Sequence, residues 1–165
     1  MIFPIAIVII TQWFGIQGSV PIVFEDVVFP VYSKEYFTEP EAYITDENAL
    51  AVNFTIIKLL PIEAQYHSVL LAASMGEYVV NTGIKIQMDL CDIIEEPILS
   101  AGLFRELGFS EDHCPPEIGT YGTEGYILPT DGLPDNIPPN QYVMTTSILY
   151  EGKSLLIMQT FFKVQ

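Results

Sequence analysis

Four side chains could carry chemistry of the commonest kinds: Cys91, Cys114, His67 and His113, the full complement of cysteines and histidines in 165 residues. Two cysteines can form a disulfide, act as free thiols, or join His113 and an acid around zinc. Zinc sites normally use close Cys or His pairs, and no such pair is present, so no metal ligand is expected. The histidines are the only ordinary general bases. His67 sits in a strand-like run, and His113 sits beside Glu111, Asp112 and Cys114. Neither has a neighbour that suggests a triad. There is no G-x-S-x-G elbow, no Gly-rich phosphate loop and no histidine pair on a helix. Glu95 and Glu96 are adjacent and diverge on a helix or a strand, which argues against a glycosidase pair. No catalytic residue and no cofactor is therefore assigned.

The compartment decides what the cysteines do. Ile2 to Phe14 form an apolar run interrupted by Pro4, Thr11 and Gln12, followed by Gly15, Gly18 and Ser19. This matches a signal peptide over 1–18, cleaved near Gly18, although only the amino terminus supplies positive charge before the run. The run is shorter than the roughly 20 residues of a membrane span, so no stable membrane insertion is expected. Residues 19–165 are then a single secreted, extracellular domain with one core. In that setting Cys91 and Cys114 make one disulfide, stabilising the fold by about 3 kcal/mol on the chain-entropy estimate. Asn53-Phe54-Thr55 is a sequon for N-glycosylation. The formal charge of −15 comes from acids scattered between Glu25 and Glu151. Such a surface repels nucleic acid and anionic membranes, which are bound largely through Lys and Arg.

Most of the chain alternates with period two, which predicts a mainly β fold of about eight strands. From Leu50 to Ile57, residues Leu50, Val52, Phe54 and Ile56 share one face, and Asn53 points outward as a glycan requires. From Ile84 to Leu90, Ile84, Ile86, Met88 and Leu90 point inward, and this strand runs into Cys91. Further strands are expected at Val23–Phe29, Glu41–Thr45, Tyr66–Met75, Gly125–Leu128, Gln141–Tyr150 and Ser154–Val164. Val69 to Ala73 is apolar on both faces, which predicts a central, covered strand. Glu151-Gly152-Lys153 suits a hairpin.

One helix is expected from Pro97 at its first turn to Leu107, with Gly108 just past its end. Leu99, Leu103 and Leu107 form its apolar stripe, while Arg105 and Glu106 lie away from it. The helix either packs on the sheet or lids a cavity. From Pro115 to Gln141 the density of Pro and Gly predicts an ordered rim loop with a short strand near Tyr126. Met75, Met88, Met144 and Met158 lie in or at the ends of expected strands, where flexible thioethers fill a core or adapt to apolar ligands.

The segment from Gly83 to Val164 resembles a family of insect secreted proteins related to the ML lipid-recognition superfamily and to the ganglioside activator protein, which includes chemosensory B-type proteins. Its marks are Asp89-Leu90-Cys91 ending a strand, Cys114-Pro115 after the helix, and Leu133-Pro134 and Ile137-Pro138 in a loop. Tyr142 then opens a final hairpin that ends in Phe161 and Phe162. The resemblance covers about half the chain. It implies an immunoglobulin-like antiparallel β sandwich or β cup whose sheets admit a lipid or another hydrophobic small molecule without turnover. The chain lacks the additional cysteines usual in the amino-terminal half of such relatives, where Tyr36, Phe37 and the strand around Ile57 stand instead. No ligand motif carries over residue by residue.

These observations lead to a secreted binding protein that carries or presents a lipid or other apolar molecule, with a role in chemosensation and an extracellular receptor as a further partner. The expected cavity residues are Phe54, Ile56, Ile86, Met88, Tyr142, Met144, Ile157 and Phe161 from the strands and Leu103 from the helix. A secreted interaction or structural module with a filled core is the alternative. A small secreted hydrolase using His67 or His113 is the third.

Overall fold

Two tight turns build most of the larger sheet. Met75-Gly76 and Glu151-Gly152 both place two successive residues at positive φ (53° and 86°, 48° and 74°), the geometry of two-residue hairpins whose twist matches the flanking strands. The computed structural model describes residues 22–96, 100–128 and 137–165. The expected signal segment and its cleavage site, Pro97 and Leu99 of the expected helix, and Leu133-Pro134 lie outside the described residues.

Eight strands are present among these: β1 (Ile22–Tyr32), β2 (Glu41–Ile44), β3 (Leu50–Ile56), β4 (Gln65–Ser74), β5 (Glu77–Asp89), β6 (Gly119–Tyr126), β7 (Asn140–Tyr150) and β8 (Lys153–Val164). They form a five-stranded sheet in the order β1-β8-β7-β4-β5 and a three-stranded sheet in the order β2-β3-β6. All pairings are antiparallel. The fold is a β sandwich with, among the described residues, a single α-helix, α1 (Ala101–Glu106), preceded by a 3-10 helix at Leu90–Glu95 and followed by a shorter one at Glu111–His113.

The inner faces follow the period-two pattern closely. In β3, Leu50, Val52, Phe54 and Ile56 are buried and Asn53 is exposed. In β7, Tyr142, Met144, Thr146 and Ile148 point inward, and in β8 Leu156, Met158, Thr160 and Phe162 do so. The Glu151-Gly152 hairpin is as expected, with Tyr150 paired to Lys153.

Several boundaries differ from the sequence pattern. Met75 lies in a turn, fully exposed, rather than at the end of a strand. β5 begins at Glu77, seven residues before Ile84, because the hairpin zips β4 and β5 together from the turn; Val79 and Val80 are exposed there. β4 is flanked by β7 and β5, yet only one of its faces is covered. Val69 and Leu71 remain half-buried on the outer face. The rim loop contains a full strand, β6, in place of a short one near Tyr126.

The helix is shorter than its apolar stripe suggested. Ala101, Leu103 and Phe104 are buried, as is Leu107 at the cap, while Arg105 and Glu106 are exposed. Gly108 ends it at φ 99°. Phe109 N–H donates to Phe104 O (2.9 Å) and Gly108 N–H to Arg105 O (3.0 Å), a pair of bonds that satisfies the last carbonyls.

Candidate functional site

The interior between the sheets gathers most of the residues singled out above. It is fed from both sheets and from α1, because alternation in the strands and the i, i+1, i+4 spacing of Leu103, Phe104 and Leu107 aim apolar side chains at one volume. A chain of aromatic rings crosses it. Phe37 meets Phe54 (centroids 5.9 Å apart), Phe54 meets Phe109 (6.5 Å), Phe109 meets Phe104 (5.0 Å), and Phe104 meets Tyr66 on the opposite sheet (5.5 Å). The contacts are edge-on, the arrangement that aromatic quadrupoles favour.

Among the described residues, two voids lie beside this chain. One gives the centre of a water-sized sphere about 20 Å³ and is lined by Phe54, Leu107, Ile148 and Met158 among others. The second gives about 10 Å³ and is lined by Leu103, Tyr126, Met144 and Thr160 among others. Phe104 and Thr146 line both, so the voids lie on either side of that pair. Each has room for about one water, and a long apolar ligand needs α1 to move outward.

The start of α1 is fixed by polar contacts. The buried hydroxyl pair Tyr66 Oη and Ser100 Oγ is hydrogen-bonded, and Ser100 N–H donates to the buried Glu96 carboxylate at 2.7 Å. Arg105 donates to Ile94 O. Burial pushes the Tyr66 phenol up, against the lowering effect of its hydroxyl partners. Burial, with Glu106 and Glu96 nearby, pushes Tyr126 up to about 12, so both phenols are neutral at physiological pH. The disulfide Cys91–Cys114 (Cα–Cα 5.6 Å) ties the 3-10 segment before α1 to the chain after it, as the sequence led us to expect.

No family model matches this chain, and no curated protein does.

The structure brings six of the nine expected cavity residues into the buried core: Phe54, Ile56, Ile86, Leu103, Tyr142 and Met144. Phe54, Leu103 and Met144 line a void, while Ile56, Ile86 and Tyr142 pack away from both. Met88 is half-buried against the core. Ile157 and Phe161 are a correction. They alternate with buried Leu156, Met158, Thr160 and Phe162, so they face outward, and Phe161 packs edge-on against Tyr78 of β5. Gln159 and Lys163 share their parity, and those polar residues were the signal that this face looks to solvent.

Sequence reasoning missed Phe104, Phe109, Tyr66, Thr146 and Thr160. Phe104 was legible as the neighbour of Leu103 on a widened stripe. The threonines were not, since an inward hydroxyl breaks the apolar alternation.

The remaining candidates lie elsewhere. Asn53 is exposed on the outer face of the three-stranded sheet, between Glu41 and Gly122. His67 lies on the outer face of β4 between Gln87 and Ser147. His113 Nδ1 is 3.8 Å from Glu117 Oε1, with both side chains largely exposed. Among the described residues, neither imidazole hydrogen-bonds a serine, threonine or cysteine. Likewise no helix among them is long and apolar enough to cross a membrane.

Proposed function

We propose that this protein is a secreted, non-enzymatic carrier or presenter of a lipid or other hydrophobic small molecule, related to the ML lipid-recognition proteins and acting in chemosensation. The observation that carries this reading is the lining of the interior: two adjoining voids with largely apolar surfaces, formed by side chains from both sheets and a helix. An apolar ligand gains about 25 cal/mol per Å² there, less the cost of ordering and of displacing α1. Phe104 and Leu107 are the side chains it displaces, since both line a void from the helix. The disulfide agrees with an oxidising compartment. Exposure of Asn53 agrees with a glycan on the outer sheet face. An extracellular receptor is the natural recipient of such a ligand.

Native mass spectrometry of the protein from a secretory host, before and after solvent extraction, tests this. Copurified apolar ligand, and uptake of N-phenylnaphthylamine by the extracted protein, are the expected results. No bound lipid together with no probe uptake sinks the carrier. A second reading, a filled sandwich that acts through its surface, has the water-sized voids in its favour and predicts that outcome.

A further inference from the structure

The smaller void differs from an ordinary core gap in one respect. Two residues of its lining, Tyr126 from β6 and Thr160 from β8, carry fully enclosed hydroxyls, and among the described residues neither hydroxyl has a hydrogen-bond partner. They come from opposite walls, since β6 belongs to the three-stranded sheet and β8 to the five-stranded one. Thr160 is 1 % exposed and Tyr126 6 %. Each enclosed hydroxyl without a partner destabilises the fold, and a valine or phenylalanine of nearly the same shape would avoid that cost. By contrast, Tyr142 Oη donates to Pro138 O at 2.7 Å, and Tyr66 Oη meets Ser100 Oγ. The other two inward tyrosines thus have partners from the protein. Tyr126 is also held in place: a side-chain carbon on Gly102 of α1 would fall 3.0 Å from its Oη, so the glycine makes room for the phenol.

Building on the carrier function proposed above, we infer that the ligand is an apolar chain bearing a single hydrogen-bonding oxygen, a hydroxyl or carbonyl, which sits between Tyr126 Oη and Thr160 Oγ1. Tyr126, kept neutral by burial, donates to that oxygen. Thr160 donates to a carbonyl, or accepts from a hydroxyl. The apolar remainder extends past Phe104 into the larger void, because Phe104 and Thr146 line both. Pure hydrocarbons leave both hydroxyls unpaired and bind less well than their size predicts. A carboxylate adds the cost of burying a charge beside Glu96 and is disfavoured.

Displacement of N-phenylnaphthylamine by decanol and by decane, on the wild type and on Tyr126→Phe and Thr160→Val, tests the assignment. Each substitution lowers the decanol-to-decane affinity ratio about tenfold relative to the wild type, through loss of decanol affinity, with decane changed less than twofold. Thr160→Val without ligand melts no lower than the wild type, since it removes an unpaired hydroxyl. A ratio unchanged in both variants, or a Thr160→Val protein that melts clearly lower, overturns the inference while leaving the carrier standing. Absence of any probe uptake by the wild type overturns the carrier, and the inference falls with it.

Discussion

The two long sides of the sandwich are closed by different means. Along one side β1 and β2 lie against each other, and the turn before β3 fastens them. Asn48 accepts from Phe24 N–H (2.8 Å) and donates to Ile22 O (2.9 Å), so its amide completes the edge of β1 as a strand would. Along the other side β5 and β6 do not pair. The gap is filled by the 3-10 segment and α1, which neighbour β4, β5 and β6; one main-chain bond, Leu90 N–H to Ala64 O (2.9 Å), and one disulfide hold them. Main-chain and amide bonds make the first side a fixed spine. The second side relies chiefly on side-chain packing, and α1 contributes to the lining of both voids there.

The strongest test of this difference is Phe104→Ala. It removes the ring shared by both voids and should cost about 3–5 kcal/mol in denaturant unfolding. Uptake of an apolar probe should rise, because the voids merge. Equal uptake by variant and wild type would show that ligand space does not open on the helix side.

Next in size is the Cys91→Ser, Cys114→Ser pair, expected to lose about 3 kcal/mol of stability. Amide exchange should quicken around 100–107 and stay unchanged in β1 and β2. Uniform acceleration on both sides would abolish the contrast.

On the spine, Asn48→Ala loses both amide bonds and leaves alanine at φ 60°, for a cost of about 2–3 kcal/mol. Asn48→Gly keeps the backbone at ease and should cost less. Limited proteolysis should then cut near 45–48 with probe binding retained. If probe binding falls instead, the spine takes part in opening.

The smallest effect is alkaline. Tyr126 titrates at about 12 in the folded protein and near 10 once unfolded, so between those values the unfolded chain holds fewer protons. Its contribution is complete below pH 10 and is lost as pH rises towards 12. Stability should fall across that window, and Tyr126→Phe should shallow the fall. An identical slope in the variant would place the titration elsewhere.

How far the sequence disclosed this fold depended on what each residue answers to. β3 and the second half of β5 were legible because their outward positions, Asn53, Lys85, Gln87 and Asp89, are polar and exposed. β8 was ambiguous. Leu155 to Met158 is apolar throughout, and inward Thr160 set against outward Phe161 reverses the usual assignment. β6 was hidden by three glycines that read as loop. At Gly122 a side-chain carbon would fall 2.8 Å from Val52 O, so the glycine serves close strand approach. Tyr126 was legible as part of a strand, but its unpaired hydroxyl depends on what α1 and β8 place around it. The disulfide was legible from cysteine number and setting alone.

The unequal strand counts set the size of the piece that completes the molecule. A five-stranded sheet facing a three-stranded one leaves two strand widths uncovered, and at about 4.8 Å per strand that strip is about 10 Å across. An α-helix is about 10 Å thick with its side chains. Two short helical pieces fill that strip: the 3-10 segment lies against β4 and β5, and α1 lies between that segment and β6. A fourth strand beyond β6 would take the place of α1 and of the Leu103, Phe104 and Leu107 side chains it sends between the sheets.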